Sequence, residues 1–180
     1  MNEVKERKGA LIAELVPETD PILQQPTEPW DFDKEYERGP KEFAEILKNS
    51  MNHYGGIGLS ANQIGASISV FAMKHEDNDI VMFNPKIINT SEEKKLIKEG
   101  CLSFPGLYIK IVRPEGVTVQ WQDEEGNSTF GSFIGMSARC ILHEYDHLRG
   151  TVYTSLAKKF HLDQAKSKRK IIMRKVRRMK

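Results

Sequence analysis

The 180 residues suit one domain with a hydrophobic core of its own. Apolar residues make up 39% and charged residues 29%, with 13 Gly and 8 Pro, so the composition excludes collagen-like, low-complexity and wholly disordered chains. The net charge of +2 hides an uneven distribution, because residues 158–180 carry a net +10 and residues 1–157 a net −8.

The first 39 residues predict an extended arm lying on the domain. Four prolines interrupt this segment, while scattered Leu, Ile and Trp side chains offer anchors. The N-terminus has no apolar h-region of a signal peptide, and the absence of a long apolar run predicts no membrane association. We therefore expect a cytoplasmic protein.

A helix is predicted from Pro40, a favourable first helical residue, because apolar side chains then recur at helical spacing as far as Tyr54. Gly55 and Gly56 end it. Strands are predicted over five runs rich in β-branched and aromatic residues, at about 68–73, 80–83, 107–113, 116–122 and 128–134.

A second helix is predicted from about Ser132 or Ser137 to Arg149, with Gly150 as its stop. Since a series of strands lies between two helices, the pattern favours a compact α+β domain over residues 1–157. Its mixed or antiparallel strands are expected to surround the second helix. Residues 158–180 are expected to form a separate basic helix or tail.

The second helix contains the HExxH pattern, from His143 to His147. At 3.6 residues per turn the two histidines differ by about 40° around the helix axis, so both imidazoles can face one metal ion. Glu144 lies beside them and can reach a water molecule without ligating the ion. The alternative is a core helix whose histidines are merely hydrogen-bonded.

A catalytic metal needs a third ligand. The metzincin pattern fails because Tyr153 stands where its third His would be, and the thermolysin pattern fails because no Glu follows Glu144. Cys140 shares the helix, but three ligands along one straight helix would span about 10 Å. Cys101 can approach from a separate strand or loop; the alternative is a buried, inert Cys101.

A glycine-rich loop occupies residues 55–65. It lacks the Gly-Lys-Ser/Thr ending of a phosphate-binding loop and follows a helix, which argues against nucleotide binding. Gln63 offers side-chain N–H donors for a developing oxyanion. The alternative is a tight turn with a solvated Gln.

Three segments together resemble peptide deformylase, the metalloenzyme family that removes the formyl group from N-formylmethionine on new chains. Residues 56–63 are similar to its glycine and glutamine motif, residues 99–103 to its EGCLS motif and residues 143–147 to its HExDH motif. The resemblance covers about residues 10–157 and implies a compact α+β fold. Its implied substrates are formylated nascent peptides.

The resemblance implies that Cys101, His143 and His147 are ligands of one divalent metal ion. Fe(II) is the expected native metal, and Zn(II), Ni(II) and Co(II) also suit such a ligand set. Glu144 is implied as general base and then general acid.

The resemblance also implies an oxyanion hole formed by Gln63 and the backbone N–H of Leu102. An apolar slot for the methionine side chain and a backbone site for the extended peptide are implied as well. The residues expected to bind the substrate are Ile57, Gly58, Ile97, Glu99, Gly100, Met136 and Cys140, with the ring of His143 as part of the wall.

Two positions depart from the family pattern. Arg139 stands at a usually apolar position of the second helix and is expected either to alter one wall of the pocket or to place a charge at its rim. No Arg follows the EGCLS motif closely, so Arg113 is the candidate partner for Glu99; the alternative is an ordinary charge at a strand end.

The basic tail predicts a helix with a partial apolar stripe, formed by Leu162, Ala165, Ile172, Val176 and Met179. Such a helix could pack on the body, bind RNA or lie on an anionic membrane, and the remaining alternative is a frayed, solvated tail. Bacterial deformylases carry a C-terminal helix that docks on the ribosome, so the resemblance implies docking on ribosomal RNA. A monomer is expected.

Two other functions remain open from the sequence. The first is another HExxH metallohydrolase, such as a peptidase, against which the missing third His and the missing downstream Glu count. The second is a nucleic-acid-binding module with a decayed site, against which the intact Cys101, Gln63 and Glu144 count.

Overall fold

The structure is a computed structural model that describes residues 1–7 and 9–178, with side chains as far as residue 175. Its strands are β1 Val4–Arg7, β2 Ala10–Ala13, β3 Gly58–Ser60, β4 Val70–His75, β5 Asn78–Thr90, β6 Lys94–Glu99, β7 Ile109–Pro114, β8 Gly116–Gln122 and β9 Ser128–Ile134. Its helices are α1 Pro40–His53, α2 Gly135–Leu148, α3 Tyr153–Leu156 and α4 Lys159–Arg178. Short 3-10 helices cover Pro21–Gln24 and Ala61–Ile64.

The strands form three antiparallel arrangements. A five-stranded sheet has the order β3-β4-β5-β8-β9, and the pairs β1-β2 and β6-β7 form separate two-stranded sheets. Mixed helices and antiparallel sheet in one α+β domain confirm the predicted fold class.

Both long helices of the body bury one face. Pro40 begins α1, whose inward residues Phe43, Ile46, Leu47 and Met51 are each at most 4% exposed. Helix α2 packs Ala138, Cys140 and Ile141 against side chains of the large sheet, including Phe71 and Val119. The HExxH helix therefore lies in the interior of the domain, as expected.

Three features differ from the sequence-based expectations. The N-terminal arm is not simply extended, because β1 and β2 pair within it. Strands β3 and β6 were not predicted: β3 has only three residues, and β6 (KKLIKE) is mostly charged and exposed. Strand β5 runs past Pro85 to Thr90, since a register shift between Phe83 and Lys86 accommodates the proline.

The basic segment forms α4, and its first half packs on the body. Ala165 is 5% exposed and Leu162 is partly buried, in a cluster that includes Ile109, Ile111 and Tyr153. Arg169 also pairs with Glu18 at 2.6 Å.

The predicted apolar stripe is buried only in part. Ile172 is 47% exposed, while the side chain of Val176 and the whole of Met179 lie outside the described residues. None of the helices described here combines the length and the apolarity needed to cross a membrane.

The packing of α4 predicts that its two halves differ in their effect on stability. A chain ending at Ala157 should lose about 2–3 kcal/mol and about 5–10 °C in Tm relative to the full chain, because Leu162 and Ala165 leave the core. A chain ending at Lys170 should keep nearly the full Tm. Thermal unfolding followed by circular dichroism distinguishes the two, and equal Tm values for both would contradict the packing.

Candidate active site

Helix α2 presents two histidines and a glutamate to the interior. His143, Glu144 and His147 are 7%, 4% and 1% exposed. The two imidazole centroids lie 5.1 Å apart, one helical turn from each other. The helical spacing therefore does bring both rings to one place.

Cys101 joins this pair from a turn that follows β6. Its Sγ lies 3.2 Å from His147 Nε2, and the possible ligand atoms of Cys101, His143 and His147 all lie within 4.8 Å of one another. A thiolate and two imidazoles are a ligand set that suits Zn(II) and other first-row divalent ions.

Cys140 lies apart from this group. Its Sγ is directed to the carbonyl oxygen of Ile57 at 3.3 Å. Burial raises the pKa of the Cys140 thiol well above its usual value, and the charge of Glu144 adds to this effect. Cys140 is therefore an uncharged wall residue.

The protonation of the histidines follows from their neighbours. Burial, together with the positive charges of His143 and Arg113, lowers the pKa of His147, so its ring is neutral and able to ligate. For His143 burial also lowers the pKa, but hydrogen bonds with Cys101 and Glu99 and the charge of Glu144 outweigh burial and raise it to about 10. The surroundings thus stabilise positive charge at this point, which a divalent cation would supply.

One carboxylate oxygen of Glu144, Oε2, is buried without a hydrogen bond among the described residues. Burial raises the pKa of Glu144 to about 7, and the positive charges of His143 and Arg113 partly offset this effect. A carboxyl group with such a pKa can both accept and return a proton near neutral pH.

The glycine loop must approach Glu144 closely, which explains Gly58. A Cβ at this position would lie only 2.5 Å from Cys140 Sγ and 2.5 Å from Glu144 Oε1. Any side chain here would displace the carboxylate or the helix.

Gln63 is held in one orientation at the end of the glycine loop. Its Oε1 accepts hydrogen bonds from the backbone N–H and the hydroxyl of Ser60, both at 2.9 Å. Its Nε2 therefore faces the site, where it donates to Cys101 Sγ at 3.3 Å and Ser103 Oγ at 3.1 Å. Asn62 Nδ2 donates to the carbonyl of His147 at 2.7 Å and so ties the loop to α2.

Glu99 is the centre of a buried ionic cluster. Arg113 donates through Nε at 2.6 Å and Nη2 at 3.0 Å, and its Nη1 pairs with Asp146 at 2.6 Å. Glu99 Oε2 also lies 3.1 Å from His143 Nδ1, which leaves His143 Nε2 to face the other ligands. The pairing of Arg113 with Glu99 is thereby confirmed.

Arg139 lines the cavity and so alters its wall, but it does not place an exposed charge at the rim. It is 3% exposed, and its Nη1 donates to Glu99 at 2.6 Å and to the carbonyl of Ile111 at 3.1 Å. Nη2 donates to the carbonyl of Lys95 at 2.7 Å. The guanidinium points into the cluster because its ion pair with Glu99 compensates the burial of its charge.

A cavity of about 640 Å³ opens beside these groups. Of the residues predicted for catalysis, metal binding and substrate binding, it is lined by Ile57, Gly58, Gln63, Glu99, Gly100, Cys101, Leu102, Met136, Cys140, His143 and Glu144. His147 lies behind the wall at 1% exposure, and Ile97 is half-buried on β6 without lining the cavity.

The sequence reasoning missed part of the wall. The cavity is also lined by Leu15, Tyr54 and residues 104–108, and Ser103 and Asp146 support it from behind. Ser103 and Asp146 belong to the EGCLS and HExDH motifs, so the motifs could have indicated that these two residues lie near the site. Nothing in the sequence indicated Leu15, because only the fold brings the N-terminal arm to the site.

Comparisons with known proteins agree with this geometry. A family model described as polypeptide deformylase matches residues 12–162. The chain is 38% identical over 140 residues to the peptide deformylase of Pseudothermotoga lettingae, covering 76% of this chain and 78% of that protein.

Two solved structures are similar over most of the chain. The peptide deformylase of Synechococcus elongatus in complex with actinonin has a TM-score of 0.79 and 31% identity and covers 85% of each chain. The Met-Ala-Ser-bound peptide deformylase of Acinetobacter baumannii has a TM-score of 0.77 and 27% identity, covering 82% of this chain and 99% of that one.

Removal of the second guanidinium should destabilise the domain. Arg139→Leu leaves Arg113 as the only guanidinium on Glu99 and leaves the carbonyl of Lys95 without this donor, so we expect a loss of about 3 kcal/mol in the free energy of unfolding. Urea unfolding measures it, with Arg149→Leu at the exposed end of the same helix as control. An unchanged midpoint for Arg139→Leu would contradict the role assigned to this cluster.

Proposed function

The chain belongs to the peptide deformylase family, and we propose that Cys101, His143 and His147 hold the metal ion of this activity. The protein is a metal-dependent hydrolase that removes the formyl group from N-formylmethionine on nascent peptides. The observation that supports the proposed ligands is the convergence of one thiol and two imidazoles within 4.8 Å, beside the unpartnered oxygen of Glu144.

We propose Fe(II) as the native metal, with Zn(II), Ni(II) and Co(II) able to bind the same ligands. The neutral ring of His147 and the anionic surroundings of His143 support a divalent cation here. When bound, such an ion lowers the pKa of water toward about 7 and polarises a carbonyl group. Glu99 keeps His143 oriented through its Nδ1.

Glu144 moves the proton in the proposed mechanism. Its carboxylate accepts a proton from the attacking water and returns it to the amine nitrogen as the bond between carbon and nitrogen breaks. Water and the formyl amide thus become formate and a free amino terminus. The buried position of Glu144 and its raised pKa support this double role.

Gln63 and Leu102 are proposed to hold the oxyanion that develops on the formyl oxygen. The amide of Gln63 is fixed with its donor side toward Cys101. Leu102 follows Cys101 directly, and its backbone N–H makes no hydrogen bond within the described residues. Donors that are already in place need no reorganisation as charge develops.

The methionine side chain is proposed to enter the cavity between the glycine loop and α2. Ile57, Gly58, Met136 and Cys140 supply the apolar walls, with the ring of His143 at the inner end. Glu99 and Gly100 also line the cavity, and their backbone groups are proposed to pair with the extended peptide. Ile97 is left out of this site because it does not line the cavity.

The C-terminal part of α4 is proposed to dock on ribosomal RNA in the cytoplasm, with the enzyme acting as a monomer. Residues 171–180 contain five Lys and Arg and no acid, whereas the first half of the helix is held by the body. The side chains of residues 171–175 are exposed, and an exposed basic segment suits a phosphate backbone.

Glu144→Ala should abolish formate release while the metal stays bound, because Glu144 is a proton carrier and not a ligand. The measurement uses anaerobically purified enzyme loaded with Fe(II) or Ni(II), formyl-Met-Ala-Ser as substrate, and metal analysis of the same samples. Cys101→Ala is the comparison, since it should lose both metal and activity. Retained turnover in Glu144→Ala would remove Glu144 from this role.

Removal of residues 171–180 should weaken cosedimentation with ribosomes at low salt and leave turnover of formyl-Met-Ala-Ser unchanged. The salt dependence of binding should fall by about one unit of slope for each lost phosphate contact. A full-length chain with Gln in place of Arg174 and Lys175 separates charge from length. Unchanged sedimentation of the shortened chain would contradict docking through this segment.

A further inference from the structure

Four charged side chains line the cavity, and not all of them have an ion-pair partner. Glu99 and Arg139 pair with each other, and Glu144 lies buried beside the metal ligands. Lys98 also lines the cavity but is exposed. Within the described part of the chain, the ion pairs of β6 and β7 involve Lys95, Glu99 and Arg113 and leave Lys98 without a carboxylate partner.

The strand places Lys98 at the mouth of the cavity. Neighbouring side chains of a strand point to opposite faces, so Glu99 turns into the ionic cluster and Lys98 turns away from it. Its Nζ lies 6.0 Å from the ring centroid of Tyr108, which also lines the cavity and is 59% exposed. A Cβ on Gly100 would lie 2.6 Å from that ring, so Tyr108 packs tightly on the strand end next to Lys98.

The substrate must pass this cation. In the proposed binding mode the formyl group reaches Glu144 and Gln63 and the methionine side chain enters between the glycine loop and α2, so the following residues leave on the solvent side of the cavity. An extended peptide advances about 3.3 Å per residue, which keeps the first two residues after methionine within reach of a long lysine side chain. The segment at the start of the glycine loop that lines the cavity, residues 54–57, brings no charge.

We propose that Lys98 makes the enzyme favour formylated chains with an acidic side chain at one of the two residues that follow methionine. The proposal rests on the family's reaction and adds a preference to it. An exposed ion pair gives a modest gain, so we expect about a two- to fivefold higher kcat/KM for Asp than for Asn at low ionic strength. The preference should shrink as salt rises, because the pair is open to solvent.

The experiment compares peptides that differ only in charge. Formyl-Met-Asp-Ser is measured against formyl-Met-Asn-Ser, and formyl-Met-Ala-Asp against formyl-Met-Ala-Asn, with one preparation of metal-loaded enzyme. The ratio of the two kcat/KM values cancels differences in metal content and folding. The two pairs of peptides show at which position the contact is made.

Lys110 provides the matched control. It is the register partner of Lys98 on β7 and is equally an exposed lysine, but it does not line the cavity. Lys98→Glu should invert the ratio so that Asn is preferred to Asp, whereas Lys110→Glu should leave the ratio close to that of the unaltered chain.

Three results would overturn the proposal: equal rates for Asp and Asn peptides in the unaltered enzyme at both positions, an unchanged ratio in Lys98→Glu, or an equal change in Lys110→Glu. The last result would assign the preference to the overall field of β6 and β7. If the unaltered enzyme released no formate from formyl-Met-Ala-Ser, the proposed function would fail. This outcome is distinguishable from a failure of the charge preference, which is measured as a ratio in an active enzyme.

Discussion

The buried carboxylate of Glu99 joins the two segments that carry the proposed metal ligands. It ends β6, two residues before Cys101, and it binds His143 on α2. Burial alone would raise its pKa, but hydrogen bonds from His143 and Arg113 outweigh burial and lower it to about 2. The carboxylate therefore stays charged and can hold strand and helix at a fixed distance.

Keeping that charge buried requires compensation from several directions. Arg113 on β7 binds both Glu99 and Asp146, so a single guanidinium links the strand pair β6–β7 to α2. Arg139 supplies a second positive charge and uses its remaining donors on carbonyls of β6 and β7. Two guanidinium and two carboxylate groups thus balance in a region where an unpaired charge would be very costly.

The sequence predicted which residues meet at the candidate site better than it predicted the framework that holds them. His143, Glu144 and His147 follow from helical spacing, and Cys101 follows from a short motif. The direction of Arg139 could not be read in this way, because it depends on Glu99, 40 residues earlier in the chain. Strand β6 was not predicted for a related reason. Half of its residues are exposed lysines, so the sequence does not show the apolar and polar alternation of a strand, and the burial of Glu99 at its end depends on distant partners.

The net charge of the chain changes sign at residue 158, but the packing of the domain continues past this point. Leu162 and Ala165 share a cluster with Phe104, which lines the cavity, and a Cβ on Gly106 would lie 3.9 Å from Arg169 Cγ. The first half of α4 therefore supports residues 104–108, one wall of the cavity. Since Arg169 also pairs with Glu18, the described part of α4, as far as Arg178, has a defined direction relative to that wall. A partner bound to this end would consequently be held in a set orientation relative to the substrate cavity.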